Sequence, residues 1–301
     1  MDQRLERFRW GVLATALVAA FAFAGWVSAE EPPVCATCHA DLYEGMAKAK
    51  HGNGEDARTP FGSGKACEAC HGDASKHAED PASAKPPVLF GRGKDVDAQN
   101  AACLGCHQGG NQMHWVGSAH DRSKVACADC HNPHAAKDQV LVKETQAGVC
   151  ADCHKDIRAD MFRSSTHPLR SGTMTCSNCH NPHGSIAEAQ LVKNTVNETC
   201  AQCHGDKRGP FLWEHPPARE NCGECHNPHG SNNPPLLKAR GPFLCQQCHA
   251  NPNHPSTLYS GNNLPGSTVG TSFDKMLGSN CMNCHPKVHG SNHPSGARFT
   301  R

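Results

Sequence analysis

A five-residue pattern, C-x-x-C-H, recurs ten times along this chain and constrains it more than any other feature. Its copies start at Cys35, Cys67, Cys103, Cys127, Cys150, Cys176, Cys200, Cys222, Cys245 and Cys281, and together they use all 20 cysteines. Two thiols three positions apart can add to the two vinyl groups of one haem, and the histidine that follows can bind its iron. The pattern therefore predicts ten covalently bound haem c groups. A disulfide scaffold would also use many cysteines, but it gives no reason for a histidine after every pair. Zinc sites join two C-x-x-C pairs and do not require histidine in that position either.

On this reading the thioether residues are Cys35 and Cys38, Cys67 and Cys70, Cys103 and Cys106, Cys127 and Cys130, and Cys150 and Cys153. They continue with Cys176 and Cys179, Cys200 and Cys203, Cys222 and Cys225, Cys245 and Cys248, and Cys281 and Cys284. The proximal iron ligands are His39, His71, His107, His131, His154, His180, His204, His226, His249 and His285.

The motifs fall into five two-haem units, 35–77, 103–134, 150–183, 200–229 and 245–289. From the second unit on, the starts are 47, 50 and 45 residues apart, an internal repeat. Asn132-Pro133-His134, Asn181-Pro182-His183 and Asn227-Pro228-His229 each follow a motif directly. Asn-Pro disfavours helix and marks a turn, which throws the next histidine away from its own haem. Leu141-Val142-Lys143, Leu191-Val192-Lys193 and Leu237-Lys238 then lead into the next motif and read as short extended pieces. Two longer connectors, 72–102 and 250–280, load the ends of the array. They read as surface loops; the alternative is that they shape contacts with redox partners.

Of the 22 histidines, twelve lie outside the motifs. Each unit holds one between its motifs and one after the second. The middle set is His51, His120, His167, His215 and His254; the trailing set is His77, His134, His183, His229 and His289. Four of the middle set lie 12, 13, 13 and 11 residues after the first proximal histidine, a loop long enough to cross to the far face of that haem. His254, only five residues after His249, fits least well. The trailing histidines are too close to their own motif and are read as ligands offered to a neighbouring haem. His114 and His293 are left over, because Ser-Ala-His120 parallels Ser-Thr-His167 and His289-Gly-Ser repeats His183-Gly-Ser and His229-Gly-Ser.

Ten Phe, four Trp and two Tyr are too few for two ordinary cores in 301 residues. The haems must supply the apolar interior, and without them too little apolar surface remains to offset chain entropy. The expected fold is a multihaem cytochrome c with little regular secondary structure, short helices and loops wrapped round a ten-haem array.

At the start, Arg4, Arg7 and Arg9 precede the apolar run Trp10–Val27 and the small-residue site Val27-Ser28-Ala29. Residues 1–29 therefore read as a cleaved signal peptide, with 30–301 as the decahaem domain in the periplasm; the rival is an uncleaved anchor. Removing that segment takes Arg4, Arg7, Arg9, Asp2 and Glu6 from 29 basic and 28 acidic residues and leaves 26 of each. Haem propionates then make the holoprotein acidic, which argues against a nucleic-acid partner.

Two imidazoles per iron close both axial positions, so the expected role is one-electron carriage and not catalysis. Multihaem reductases keep one haem open, often with lysine in place of the motif histidine; here every motif ends in histidine. An oxyanion reductase would need one haem without its distal ligand.

The ten motifs, the Asn-Pro-His repeats and the ending Val288-His289-Gly290-Ser291-Asn292-His293-Pro294-Ser295-Gly296 resemble the MtrA/DmsE decahaem cytochrome family, with its iron-oxidation relatives MtoA and PioA. That resemblance implies a haem wire associated with the outer membrane and seated in a β-barrel porin. It would link periplasmic donor or acceptor cytochromes to an outer-surface cytochrome or a mineral. The alternative is a soluble periplasmic shuttle, or a subunit feeding electrons to an extracellular reductase. The expected haem stoichiometry is checked by pyridine haemochrome analysis of the purified chain, which should give ten haems per polypeptide; a value well below ten refutes it.

Overall fold

The computed structural model describes residues 33–249 and 280–300. The predicted signal segment, most of the second long connector and the candidate ligand His254 lie outside the described residues.

Each motif folds into one helical turn. In all ten, the histidine N–H donates to the carbonyl of the first cysteine, from His39 to Cys35 at 2.9 Å through to His285 to Cys281 at 2.9 Å. Such an i to i−4 bond brings residues three and four apart onto one face, so both thiols and the imidazole share a side. In the second to fifth units the first motif lies at the C-terminal end of an α-helix: Val96–Leu104, Lys143–Ala151, Val196–Ala201 and Gly241–Gln246. The second opens a 3-10 turn: Cys127–Asp129, Cys176–Asn178, Cys222–Glu224 and Cys281–Asn283. The Asp95 side chain caps the first of these helices and Thr195 the third.

The two motifs of a unit are tied by an amide side chain on the helix. Asn100 Oδ1 accepts from Cys127 N at 2.8 Å, Gln146 Oε1 from Ser177 N at 3.1 Å and Asn197 Oδ1 from Cys222 N at 2.7 Å. Each amide thus satisfies a donor that the short turn leaves open.

Units are tied to one another by backbone. Ser165 and Ser231 exchange both N–H···O bonds, at 2.9 and 2.8 Å, and Trp213 and Ser291 do the same at 2.9 Å each. Beside each of these two bridges stands a glycine that follows a trailing histidine, Gly230 or Gly290, and Gly184 occupies the equivalent place after His183. Gly184, Gly230 and Gly290 have φ of +106°, +153° and +140°, and all are buried. A Cβ there would sit 2.2 Å from the His114 carbonyl oxygen, 2.0 Å from the Asp160 oxygen, or 2.2 Å from the Phe211 ring. His114, which the sequence leaves without a place, contributes its backbone to this approach.

The Leu-Val-Lys pieces only partly match the expected extension. Leu191 and Leu237 make isolated bridges to His180 and His226, whereas Gln139–Leu141 is a 3-10 turn. The Asn-Pro turns do form: the side chains of Asn132, Asn181 and Asn227 accept from the N–H of His134, His183 and His229.

Among the described residues only eight hydrophobic side chains are buried, and the sole cluster is Ala147, Ala151, Met161 and Leu169. Over the described residues the polypeptide therefore provides a casing with one small apolar cluster. Replacing Gly184 by Ala is expected to cost roughly 1–3 kcal/mol from the backbone conformation alone, with the clash added. Gly148→Ala, inside a helix and with open space around its Cβ, should instead gain up to about 1 kcal/mol. Thermal melts of the two holoprotein variants check the ordering.

Candidate functional site: paired imidazoles along the chain

The imidazole rings come together in couples, each joining one motif histidine to one non-motif histidine; six are near parallel and three are tilted or edge-on. The ring centres lie 6.4 Å apart for His39 and His77, 6.0 Å for His51 and His107, and 6.1 Å for His71 and His134. The series continues with His120 and His154 at 6.1 Å, His131 and His183 at 6.0 Å, and His167 and His204 at 6.3 Å. It ends, among the described residues, with His180 and His229 at 6.0 Å, His215 and His249 at 6.1 Å, and His226 and His289 at 6.2 Å. A metal–imidazole bond of about 2.0–2.1 Å, plus about 1.1 Å from ring nitrogen to ring centre, puts two trans imidazoles about 6.3 Å apart. The couples thus have the spacing that one iron between two imidazoles demands.

The couples follow a rule that differs from one sequence expectation. A middle histidine does not pair with the first motif histidine of its own unit. His51 faces His107, His120 faces His154, His167 faces His204 and His215 faces His249, in each case the first motif of the next unit. The intervening segment is too firmly engaged with the following unit: His120, His167 and His215 donate Nδ1–H to the carbonyls of Pro182, Pro228 and Val288. The trailing histidines run the other way, each to the second motif of the preceding unit, as His134 to His71 and His229 to His180. In the first unit the trailing His77 faces His39 of the same unit.

The other ring nitrogens fit the same chemistry. His71, His77, His180 and His226 donate Nδ1–H to the carbonyls of Val88, Ala84, Ala189 and Pro235, and His285 to Arg298. A histidine that donates from Nδ1 presents the lone pair of Nε2 to a metal. Burial, the largest cause, lowers the pKa of His51, His134, His183, His215, His229 and His289 below the usual imidazole value. Neutral imidazole is the ligating form. The long connector 72–102 proves to be more than a surface loop, since it carries the Val88 and Ala84 acceptors and the Phe90 edge 5.1 Å from His71.

The thiols trace the order of the sites. Within a unit the first cysteines of both motifs adjoin: hydrogen bonds to Cys127, Cys176 and Cys222 raise the thiol pKa of Cys103, Cys150 and Cys200. Burial and then the neighbouring Cys35 push Cys67 up to about 11. Between units, burial and then proximity to Cys103 raise Cys70, and burial and then Cys203 raise Cys179. None of the 20 cysteines is joined to another, as the disulfide reading would require. Among the described residues no group of three or more His, Cys, Asp or Glu could hold a bare metal ion, as a zinc site would. Two buried donors, Trp115 Nε1 and His183 Nδ1, have no acceptor from the polypeptide; propionates are acceptors of the kind they need.

Sequence reasoning missed the Nδ1 acceptors. Backbone carbonyls leave no residue signature, and the carboxylate acceptor of His131, Asp138, stands in no repeated pattern. His293 stays outside the couples, its Nδ1 within 3.0 Å of Ser295 Oγ.

The chain matches the doubled CXXCH motif family over residues 167–209 and 215–254, and the NrfB-like c-type cytochrome family over 67–153. The doubled-motif frame begins at a middle histidine, and each match encloses a complete couple, His167 with His204 and His215 with His249. The chain is 32% identical to the cytochrome c-type protein NrfB of Escherichia coli O6:H1 (strain CFT073) over 143 residues, which is 45% of this chain and 72% of that protein. It is 48% identical to the multiheme cytochrome MtrA of Shewanella baltica (strain OS185) over 275 residues, covering 89% of this chain and 80% of that one. Ten attachment motifs along a casing of short helices, together with that breadth of identity, make this chain a member of the MtrA multihaem cytochrome family, an electron carrier with ten covalent haem c groups.

Proposed function

We propose that the nine imidazole couples are the axial ligand pairs of nine haems, and that His254, the distal candidate left, serves His285. We further propose that the chain conducts electrons across the outer membrane inside a β-barrel porin, reached by export to the periplasm. The observation that carries this reading is the unbroken relay of couples and adjoining thiols from Cys35 to the fifth unit.

Bound haem supplies a one-electron Fe(III)/Fe(II) couple whose potential follows its axial ligands and their hydrogen bonds. The polypeptide holds each imidazole of the described couples at a set distance and orientation, and among the described residues no third His, Cys, Asp or Glu joins a couple as a metal-binding group. A haem iron held between the two imidazoles of a couple would have no position left for a substrate, so the chain's task is to fix spacing and exclude reorganisation.

Two features support the membrane reading. Among the described residues no helix is long and apolar enough to cross a membrane, so passage through lipid needs another protein around it. Ten macrocycles in file, each step on the order of a nanometre, exceed the about 40–45 Å of a bilayer with its headgroups. Periplasmic cytochromes on one side and an outer-surface cytochrome or mineral on the other are the partners this implies, as the family resemblance does.

His229→Ala removes one ring of the couple with His180. One haem in ten should then give a high-spin signal in the oxidised spectrum, while the wild type is wholly low-spin; a wild type with a high-spin haem revives the reductase reading. For the conduit itself, the chain should co-purify with a large β-barrel protein. Proteoliposomes holding that complex should pass electrons from external dithionite to an enclosed dye. Recovery of all the protein as a free periplasmic monomer would instead favour a soluble shuttle.

A further inference from the structure

The second motif histidines of the five units share one device, an Nδ1–H bond to a residue downstream, and in one unit its chemistry changes. His71, His180, His226 and His285 donate to backbone carbonyls. His131 donates instead to a carboxylate, Asp138 Oδ2, at 2.7 Å. That carboxylate is held in place, with its other oxygen accepting from the N–H of Asn132 at 3.3 Å and of Val140 at 3.4 Å. The Asp138 side chain is 14% exposed, so water screens the contact weakly. Across from His131, the His183 ring lies nearly parallel, 12° apart, and its Nδ1 is buried without an acceptor.

We propose that Asp138 makes the haem of the fourth motif the lowest in potential of the second-motif haems. Two effects act with the same sign. Drawing the Nδ1 proton toward a carboxylate makes the imidazole a stronger donor to iron. The fixed negative charge nearby also favours Fe(III) over Fe(II), because reduction removes one positive charge from its reach. A carbonyl, which carries only partial charge, does both less. The electron arriving on this haem is taken up by iron alone, with no proton or bond transferred. Among the second-motif sites the fourth is therefore the one that electrons enter least readily, with three motifs before it and six after. The inference rests on His131 and His183 as axial ligands.

The test is Asp138→Asn in the full holoprotein, which replaces the carboxylate by a carbonyl acceptor of the kind the other units use. With ten low-spin haems retained, one low-potential component of a spectropotentiometric titration should rise by about tenfold in its one-electron equilibrium, about 59 mV. Asp138→Glu, which keeps the charge, should hold that component near its original value. A titration curve for Asp138→Asn that superimposes on the wild type, with all haems low-spin, overturns the proposal. If Asp138→Asn matures with fewer than ten haems, the oxidised wild type decides by near-infrared magnetic circular dichroism. One charge-transfer band displaced to higher energy supports Asp138 as the stronger push, and coincident bands for all haems overturn it. A high-spin haem in the wild type would instead overturn the ligand assignment itself.

Discussion

The pairing of imidazoles between units is the interaction on which the rest of this structure depends. Apart from His39 with His77, every couple described joins two different units. Beyond that one couple, a unit cannot complete its own pairs, and an iron bound between two rings of different units would also be a cross-link between those units. With so few buried hydrophobic side chains, the chain has little else with which to offset the entropy of ordering its loops. Metal-ligand bonds of this kind turn cofactor binding free energy into folding free energy.

The backbone is shaped to allow those cross-links. Between units the chains approach so closely that a methyl group cannot be admitted, which is why glycine follows His183, His229 and His289. The paired Ser165 and Ser231 bonds, and those of Trp213 and Ser291, sit next to two of these glycines and fix the depth at which the trailing histidine enters its neighbour. Neither feature is a core in the usual sense; each is a registration device for a ring that must end about 6.3 Å from its mate. The amides of Asn100, Gln146 and Asn197 do the equivalent task inside a unit.

Much of this was legible in the sequence, because covalent haem attachment needs a rigid local pattern. Ten motifs, the two families of extra histidines and the turn at each Asn-Pro were readable from residue types and spacing alone. The direction of each histidine was not. A loop of 11 to 13 residues can reach either its own haem or the next, and what decides is a set of backbone contacts some 60 to 70 residues away, such as His120 to Pro182 and His215 to Val288. Carbonyl acceptors carry no side-chain signature at all. Asp138 has one, but a single carboxylate seven residues after His131 has no repeat to set it apart from surface charge.

The exchange rule also has a consequence for how such an array can grow. Middle histidines reach forward by one unit and trailing histidines reach back by one, so the pattern is the same at every interior junction. That is the nearest-neighbour logic of a one-dimensional repeat, with ligation in place of hydrophobic stacking. It permits an array of any length, provided the terminal sites are closed by other means. At the first unit the closure is visible. His77 turns back to His39, and the insertion that follows supplies its acceptor at Ala84 and that of His71 at Val88. The long connector thus serves two ligand rings of the first unit at once, the second motif histidine as the downstream chain does in every unit, and His77 besides.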